Sequence, residues 1–521
     1  MILVAAVWFS IRLGWPLLRK RLSDVVRQRS IEIVRERFEA NVSFDEFTIQ
    51  QLFPRIWIAG SRAVLKKANN PDSPPLISVE NFSFSALLVE FLRKPSHVEQ
   101  LKLNGMRIFV PPRSHGREEK SQPVRQRYPV ILDSFECQQC ELNIVPKNPH
   151  KRPLHFSIHQ LSMQNVGLGR SAPYSARLTN AVPRGEIDAH GRFGPWQPEQ
   201  PSLTPLSGRY RFTHADLYPF PGIGGTLDST GQFQGLLERI VADGRTSTPD
   251  FSLDVIGRLV PLDTEFHAVI DGTSGDTALD PVRAKLLNSD IVARGGVFGM
   301  PDGKGRAVLL DVTIDSGHLE DILRLCVKAN PPPLLGGLRL HTQLGILPGP
   351  GKVLERLKLN GHFLATAAQP TNPQIQKRLE LMSRRAEGKL GNTNSGSDVF
   401  NLNGRFLVNQ SQAYFPRVNF TISGANLDLS GSYGLRSQQL DFTGDLQLDA
   451  KLSDTVSGFK SLLLKPFDPF FRKRGKTVLP VEITGVRSNP KFHLQLHRKK
   501  QQRPLPAEPG LEQSRPARVW H

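Results

Sequence analysis

The alternation of apolar and polar side chains between Ser397 and Ser453 is the feature that most constrains how this chain can fold. Successive side chains of a β-strand point to opposite faces of the sheet, so residues of one parity share a face. Asn, Gly, Ser and Asp residues separate the runs, as hairpin connections require. The residues predicted to share one apolar face are Phe400, Leu402, Phe406, Val408, Val418, Phe420, Ile422, Leu427, Leu429, Leu440, Phe442, Leu446 and Leu448.

These residues predict consecutive antiparallel strands with one apolar face, and such a face must be shielded from water by a cover. The cover is either the protein's own core or a foreign apolar molecule, so all of them are candidate groove-lining residues. The strand–glycine–strand pattern recurs, because LKLNG occurs at 101–105 and 357–361, and 187–194 and 290–299 vary it. This recurrence indicates a quasi-repetitive sheet. The apolar parity also switches at Asn104-Gly105, which predicts a bulge that bends the strand.

The predicted fold class is mostly β: an elongated curled antiparallel sheet, forming a groove or an open barrel, with a few short helices and an N-terminal membrane-anchor helix. The 43 glycines and 41 prolines among 521 residues suit such a strand-and-turn protein. Two short helices should each pack one apolar stripe on the sheet. These stripes are Leu319, Ile322, Leu323 and Cys326 in the first helix, and Ile375, Leu379, Met382 and Ala386 in the second.

Composition shifts along the chain divide it into seven parts. The predicted parts are a membrane anchor (1–18), an amphipathic helix (19–40), an N-terminal β module (41–111), a charged linker (112–127), a long β-sheet or groove region (128–455), a C-terminal helix with closing strands (456–498) and a disordered basic tail (499–521).

The N-terminal segment resembles a membrane anchor, because residues 1–18 are apolar except for Arg12. The segment lacks a small-residue cleavage site, so we expect it to be retained. The amphipathic helix that follows is interpreted either as a cap on the start of a sheet or as a helix at the membrane interface. Aromatic residues beside a basic cluster at 458–475 leave a similar choice between a plug for the sheet and a membrane contact.

The formal net charge of +19 comes from 67 Lys and Arg against 48 Asp and Glu. Such a balance favours an anionic partner, either nucleic acid or an anionic membrane surface. The sequence carries no helix-turn-helix pattern and no aromatic-rich basic groove. Nucleic acid is therefore not among the predicted partners.

Residues with catalytic or metal-binding potential do not form a recognised pattern. Cys137 and Cys140 lack further zinc ligands and lie in strand-like sequence, so we interpret them as a local disulfide or as two ordinary cysteines in a turn. His155 and His159 are four residues apart, which on a strand separates them by roughly 13 Å. We therefore predict no enzyme activity, no cofactor and no metal site.

Several stretches together resemble the AsmA-like proteins of Gram-negative envelopes. They are the apolar N-terminal segment with its amphipathic helix, HVEQLKLNGMRIFVP at 97–111, IDGTSGDTALDPVRAKLLNSDIVARGGVFG at 270–299, LDVTIDSGHLEDILRL at 310–325, GFKSLLLKPFDPFF at 458–471 and VLPVEITGVRSNPKFHLQL at 478–496. The resemblance implies a single-pass inner-membrane protein with its bulk in the periplasm and a long curled β-sheet related to bridge-like lipid-transfer proteins. The implied partners are phospholipid or another acyl-chain lipid, the inner membrane, and outer-membrane or other envelope proteins.

Two hypotheses follow for the oily face. In the first, the chain carries phospholipid along an apolar β-groove for outer-membrane biogenesis. In the second, the sheet closes on its own side chains and the chain is a non-transporting structural or regulatory scaffold for envelope assembly. A groove and a self-filled barrel have the same period-two pattern, so the sequence leaves both open.

Overall fold

The protein is described by a computed structural model. The described residues are 20–35, 40–51, 53–67, 75, 77–110, 130–144, 154–167, 170–195, 201–253, 258–272, 274–300, 305–327, 329–388, 399–451, 472–473 and 476–494. The predicted anchor (1–18), linker (112–127) and basic tail (499–521), and the aromatic stretch as far as residue 471, lie outside them. Among the helices of the described ranges, none is long and apolar enough to cross a membrane.

β-Strands make up most of the described chain, which confirms the predicted mostly-β class. Residues 40–253 contain β1 (Ala40–Ser43), β2 (Glu46–Gln51), β3 (Arg55–Lys67), β4 (Ile77–Leu87), β5 (Ser96–Val110), β6 (Val130–Ile144), β7 (Leu154–Val166), β8 (Ala172–Thr179), β9 (Glu186–Phe193), β10 (Pro205–Asp216), β11 (Ile223–Gly224), β12 (Thr226–Leu236) and β13 (Arg239–Leu253). Residues 260–494 contain β14 (Val260–Ile270), β15 (Thr277–Leu286), β16 (Ser289–Gly299), β17 (Arg306–His318), β18 (Leu334–Ile346), β19 (Leu357–Pro370), β20 (Phe400–Asn409), β21 (Gln412–Ile422), β22 (Ala425–Gly434), β23 (Gln439–Leu448), β24 (Arg472–Lys473), β25 (Lys476–Val486) and β26 (Asn489–Leu494).

The described helices are few and short, as predicted. They are α1 (20–35), α2 (Leu88–Leu92), α3 (Leu319–Cys326), α4 (Val353–Arg356) and α5 (Pro373–Ala386). The chain divides into two compact units: unit 1 comprises Met1–Asp216 with Asp228–Val241, and unit 2 comprises Leu217–Leu227 with Ala242–His521.

In unit 1, β1 and β2 both pair with β3, and antiparallel pairing continues from β3 through β4 to β5. β5 and β6 then run parallel, which corrects the prediction of an antiparallel sheet throughout. Parallel neighbours need a long connection, and residues 111–129 between the two strands supply it. Antiparallel pairing resumes from β6 through β7, β8 and β9 to β10.

The core of unit 1 is filled by the chain's own side chains. Ile56, Ile58 and Phe82 of the sheet, Phe91 of α2 and Val26 of α1 all belong to one buried cluster. Val26 is wholly buried, and Ile33, about two turns later, packs against the same cluster. This packing favours the interpretation of α1 as a cap on the sheet.

A line of left-handed residues crosses this part of the sheet. Arg62, Gly105 and Gln139 have φ of 49°, 64° and 52°, and the strand registers place them at one level of β3, β5 and β6. A left-handed residue turns the strand so that residues of opposite parity reach the same face; in β3, Ile58 before Arg62 and Ala63 after it are both buried. The parity switch at Gly105 is thus found, but the predicted bulge is not, because β5 pairs with β4 and β6 without a register shift; the left-handed Gly105 makes the switch instead.

A left-handed residue also explains how the cysteine pair is placed. Residues three apart on a regular strand face opposite sides, but the left-handed Gln139 between them lets both cysteines enter the core of unit 1. Cys137 and Cys140 form a disulfide bond there, with both side chains buried. Of the two interpretations of this pair, the local disulfide is the one found, and it lies within β6 rather than in a turn.

In unit 2, antiparallel pairing runs without interruption from β14 through β23, then to β25 and β26. In the described pairings β14 does not pair with β26, so this sheet is open. α3 follows β17, and α5 connects β19 with β20. These two helices are the main elements that lie against the unit 2 sheet in the described chain.

Candidate functional site

The strand registers bring the predicted groove-lining residues of β20–β23 onto one face of the unit 2 sheet, which we call the apolar face. Leu402 lies opposite Phe420, and Phe420 lies opposite Leu427 on the next strand. Leu427 in turn lies opposite Leu446, and this apolar row ends on Leu479 of β25. Side chains directly opposite each other on neighbouring strands are in contact range, so the row is a continuous apolar strip.

The burial of these residues is graded. None of those predicted for the face is exposed. The buried ones are Phe400, Val408, Val418, Ile422 and Leu448. The half-buried ones are Leu402, Phe406, Phe420, Leu427, Leu429, Leu440, Phe442 and Leu446. The side chains of the apolar face are therefore less buried than those of a closed core and less exposed than those of an ordinary protein surface.

The protein covers one end of the apolar face with its helices. Phe400 and Ile422 form a buried cluster against which Leu319 of α3 and Leu379 of α5 pack. Leu448 forms a second cluster with Ala386, the last residue of α5. At this end the sequence-predicted groove residues belong to a self-filled core.

The other part of the apolar face lacks such a cover in the described chain. Phe406, Leu429, Leu440 and Phe442 lie outside every described core cluster. They remain half-buried. Together with Leu427, which is also half-buried outside these clusters, they form the open part of the apolar face.

In this open part, glycines on neighbouring strands leave space into which the aromatic rings fold. A Cβ at Gly431 would lie 2.8 Å from Cδ1 of Phe442, and a Cβ at Gly361 would lie 2.9 Å from Cζ of Phe406. Each ring therefore lies against a glycine of the neighbouring strand instead of standing above it. The Phe415 ring continues this layer, with its centroid 5.7 Å from that of Phe442. Rings that lie flat leave room above the sheet.

The opposite face of the same strands is polar. The amide of Asn419 donates to Asp428 at 2.9 Å, and Arg417 lies 3.7 Å from the same carboxylate. Arg405 lies opposite Arg417 on this face. Water satisfies such groups, so the two faces of the sheet have opposite preferences for their surroundings.

One buried residue of this region was missed by the period-two reading. Leu407 is 4% exposed but has the parity of the polar face. The register of β20 against β21 shifts between Arg405 and Leu407, which is where the alternation breaks. The signal in the sequence is the run Phe406, Leu407, Val408, since three successive apolar residues do not fit a one-faced strand.

Unit 1 has a smaller apolar face on β8–β10, which sequence reasoning also missed because its pattern is weak. Ala176, Ala189 and Tyr210 lie opposite each other on successive strands. Burial raises the pKa of Tyr210 and of Tyr174, and the Tyr210 hydroxyl hydrogen-bonds with that of Ser229 at 3.1 Å. Small residues between the tyrosines again leave this face shallow.

Titratable groups do not cluster on either face in a way that suggests chemistry. Within the described residues, no group of three or more His, Cys, Asp or Glu could hold a metal ion. His155 accepts or donates a hydrogen bond with Asn143, and His159 does so with Thr179, so the two histidines have separate partners. Neither supports a shared site.

One histidine of unit 1 is bound by two carboxylates. His97 lies 2.8 Å from Asp133 through Nε2 and 2.9 Å from Glu90 of α2 through Nδ1. The hydrogen bond to Asp133 is the main cause that raises the pKa of His97 above its ordinary value; burial opposes this shift, and the hydrogen bond to Glu90 adds to it. The imidazolium thus links α2 to β5 and β6.

This pKa shift predicts how the stability of unit 1 depends on pH. A group whose pKa is raised on folding stabilises the fold fully below its unfolded pKa of about 6.5, and the contribution disappears as the pH rises through the folded value. We expect His97→Gln to lose stability relative to wild type at low pH and to match it more closely at high pH. Urea unfolding at pH about 5.5 and about 8.5 measures this, with His493→Gln of unit 2 as control. An unchanged difference between wild type and His97→Gln at the two pH values would contradict it.

The candidate site is thus a surface, not a constellation of a few reactive groups. It is continuous across the strands of unit 2, half-buried in its open part, and covered by α3 and α5 at one end. Its described side chains are mainly apolar. Comparison of the chain with family models, with curated proteins and with solved structures finds no match.

Proposed function

We propose that this chain carries an acyl-chain lipid on the apolar face of unit 2. The observation that carries the proposal is the open part of that face, where Phe406, Leu429, Leu440 and Phe442 stay half-buried outside the described core clusters. A soluble protein that had no apolar ligand would gain stability by covering these side chains.

The energetics of acyl-chain burial suit such a face. Transfer of one CH₂ group from water to an apolar surface contributes about 0.8 kcal/mol. A chain of about a dozen CH₂ groups, half-covered, therefore gains roughly 5 kcal/mol before the cost of ordering it. That is enough for binding and little enough for release, which a carrier requires.

In this proposal the chain is an AsmA-like protein of the bacterial envelope, anchored in the inner membrane by residues 1–18, and it carries phospholipid toward the outer membrane. The resemblance of its sequence supports the family, and the Cys137–Cys140 disulfide supports an oxidising compartment such as the periplasm. The net charge of +19 supports work at anionic membrane surfaces.

A second candidate function is a non-transporting scaffold for envelope assembly. The observation that favours it is the core of unit 1, which the chain's own residues fill from both the sheet and the helices α1 and α2. A scaffold of this kind predicts that the open part of the apolar face binds no lipid.

Native mass spectrometry of the full chain, extracted in mild detergent, separates the two candidates. We expect adducts with the mass of one or more phospholipids, because the ligand has no reason to leave a half-buried apolar face for water. Protein that is free of lipid after extraction, with its fold intact by circular dichroism, would favour the scaffold and contradict the carrier.

A further inference from the structure

The helix α5 is held against the end of the apolar face by a small part of its surface. Leu379 packs against the cluster of Phe400 and Ile422. The Ser383 hydroxyl donates to the backbone oxygen of Ser423 at 3.1 Å. The backbone oxygen of Ala386 accepts from the backbone N–H of Ala450 at 2.9 Å. These contacts fix one side of α5 on the sheet.

Large apolar side chains lie on the remaining surface of α5. Ile375, Leu381 and Met382 are 53%, 52% and 55% exposed. Ile375 and Met382 belong to the stripe that the sequence predicted to pack on the sheet, and the structure corrects that prediction. Leu379 and Ala386 of that stripe do pack against the sheet, as predicted, together with Ser383, because small residues let the helix approach the backbone of its neighbour closely.

The same helix is strongly basic. It contains four cations, Lys377, Arg378, Arg384 and Arg385, and one carboxylate, Glu380, which accepts a hydrogen bond from Gln376. None of these four cations forms a salt bridge within the described part of the chain. α5 therefore carries an excess of positive charge, since its four cations outnumber its one carboxylate.

The apolar and basic residues lie side by side. At 100° per residue, Ile375, Met382, Arg378 and Arg385 fall within an arc of roughly 80° on the helix. Apolar side chains bordered by arginines on one helix surface are typical of helices that lie in a membrane interface, where the side chains enter the acyl boundary and the cations meet anionic headgroups.

We propose that α5 docks the covered end of the apolar face onto an anionic phospholipid bilayer. α5 connects β19 with β20, so its docking brings the first residues of the predicted groove, Phe400 and Leu402, to the bilayer surface. The further step, in which lipid passes between the bilayer and the apolar face, rests on the proposed function. The docking of α5 itself depends only on its exposed residues and charges.

A fluorophore on α5 of the full chain tests the docking locally, so that the N-terminal segment does not mask the result. Met382→Cys, and separately Leu381→Cys, are made with Cys326→Ser and labelled with an environment-sensitive dye. Leu259→Cys, at another exposed apolar residue of unit 2, is the matched control. The protein is reconstituted in vesicles of phosphatidylcholine with phosphatidylglycerol, or of phosphatidylcholine alone.

We expect the dye on α5 to brighten several-fold, and to be quenched by doxyl-labelled lipid, only on the anionic vesicles, with no change at residue 259. Arg378→Gln with Arg385→Gln should weaken the docking equilibrium roughly 30-fold, since each cation near an anionic surface contributes about a fivefold factor. No response on any vesicle would overturn the proposal in favour of a protein partner. An equal response on both vesicles would overturn the assignment of an anionic surface.

The two proposals fail separately. Lipid adducts that persist in the double arginine variant, with docking absent in wild type, would overturn the inference about α5 alone. Docking that persists while the protein carries no lipid would overturn the proposed carrier function alone.

Discussion

Replacement of Phe442 by Asp is expected to remove bound lipid while unit 2 stays folded, whereas Phe400→Asp should unfold the covered end of its sheet. Phe442 is half-buried outside the core clusters, so a carboxylate there stays hydrated and costs about 1 kcal/mol. Phe400 is 6% exposed inside a cluster with Ile422, and a charge there costs about 4 kcal/mol or more. Urea unfolding and phospholipid analysis of the purified variants measure both effects.

The matched control is Thr443→Asp, one residue along β23, whose side chain is exposed on the polar face. It should keep both the stability and the lipid of wild type. If Phe442→Asp unfolds unit 2 as strongly as Phe400→Asp does, then the whole apolar face is a self-filled core and the carrier proposal is wrong.

Gly444→Ala is expected to destabilise unit 2 by about 2–4 kcal/mol, although it adds a single methyl group to the apolar face. A Cβ at Gly444 would overlap the backbone oxygen of Asp428 on the neighbouring strand, and a Cβ there would also lie 3.0 Å from the Cα of Leu429. Both obstacles are backbone atoms, so only a shift of β22 or β23 can relieve them. The loss should appear as a lower urea midpoint.

Gly299→Ala serves as the control for the glycine effect, because its Cβ would meet only a carboxylate oxygen of Asp276 at 3.4 Å. This variant should unfold within about 0.5 kcal/mol of wild type. Equal stability of Gly444→Ala and Gly299→Ala would show that β22 and β23 do not approach each other as closely as the structure has them.

The apolar face could be predicted from the sequence because period-two alternation is a local property. Phe406 and Phe442 are on one face in both the sequence pattern and the strand registers. The parallel pairing of β5 with β6 could not be predicted, because strand direction depends on the connection at 111–129, whose composition carries no periodic signal.

Residues with left-handed backbone conformation are a second feature that the sequence predicts only in part. The parity switch at Gly105 could be found, since glycine adopts positive φ without strain. Arg62 and Gln139 have the same conformation, but neither is a glycine, so the sequence gives no signal for it. The face on which Cys140 lies could therefore not be predicted. The packing of α5 was predicted only in part: Leu379 and Ala386 pack on the sheet, but the small residue Ser383 beside their stripe also packs, and Ile375 and Met382 are exposed.

The two units differ in how the apolar side chains of their sheets are covered. In unit 1, Val26 of α1 and Phe91 of α2 pack into one buried cluster with Ile56 and Ile58 of the sheet. In unit 2, α3 and α5 cover one end of the apolar face, and the half-buried phenylalanines beyond them lie outside the described core clusters. The carrier proposal applies to that part of unit 2.

Site-specific photo-cross-linking in cells tests this proposal most directly. A benzoylphenylalanine introduced at Phe442 points to the apolar face, and one at Thr443 points to the polar face of the same strand. We predict that irradiation attaches phospholipid at position 442 and none at position 443. Labelling at neither position, or equal labelling at both, in protein that is folded and stable, would contradict the assignment of a lipid to the apolar face.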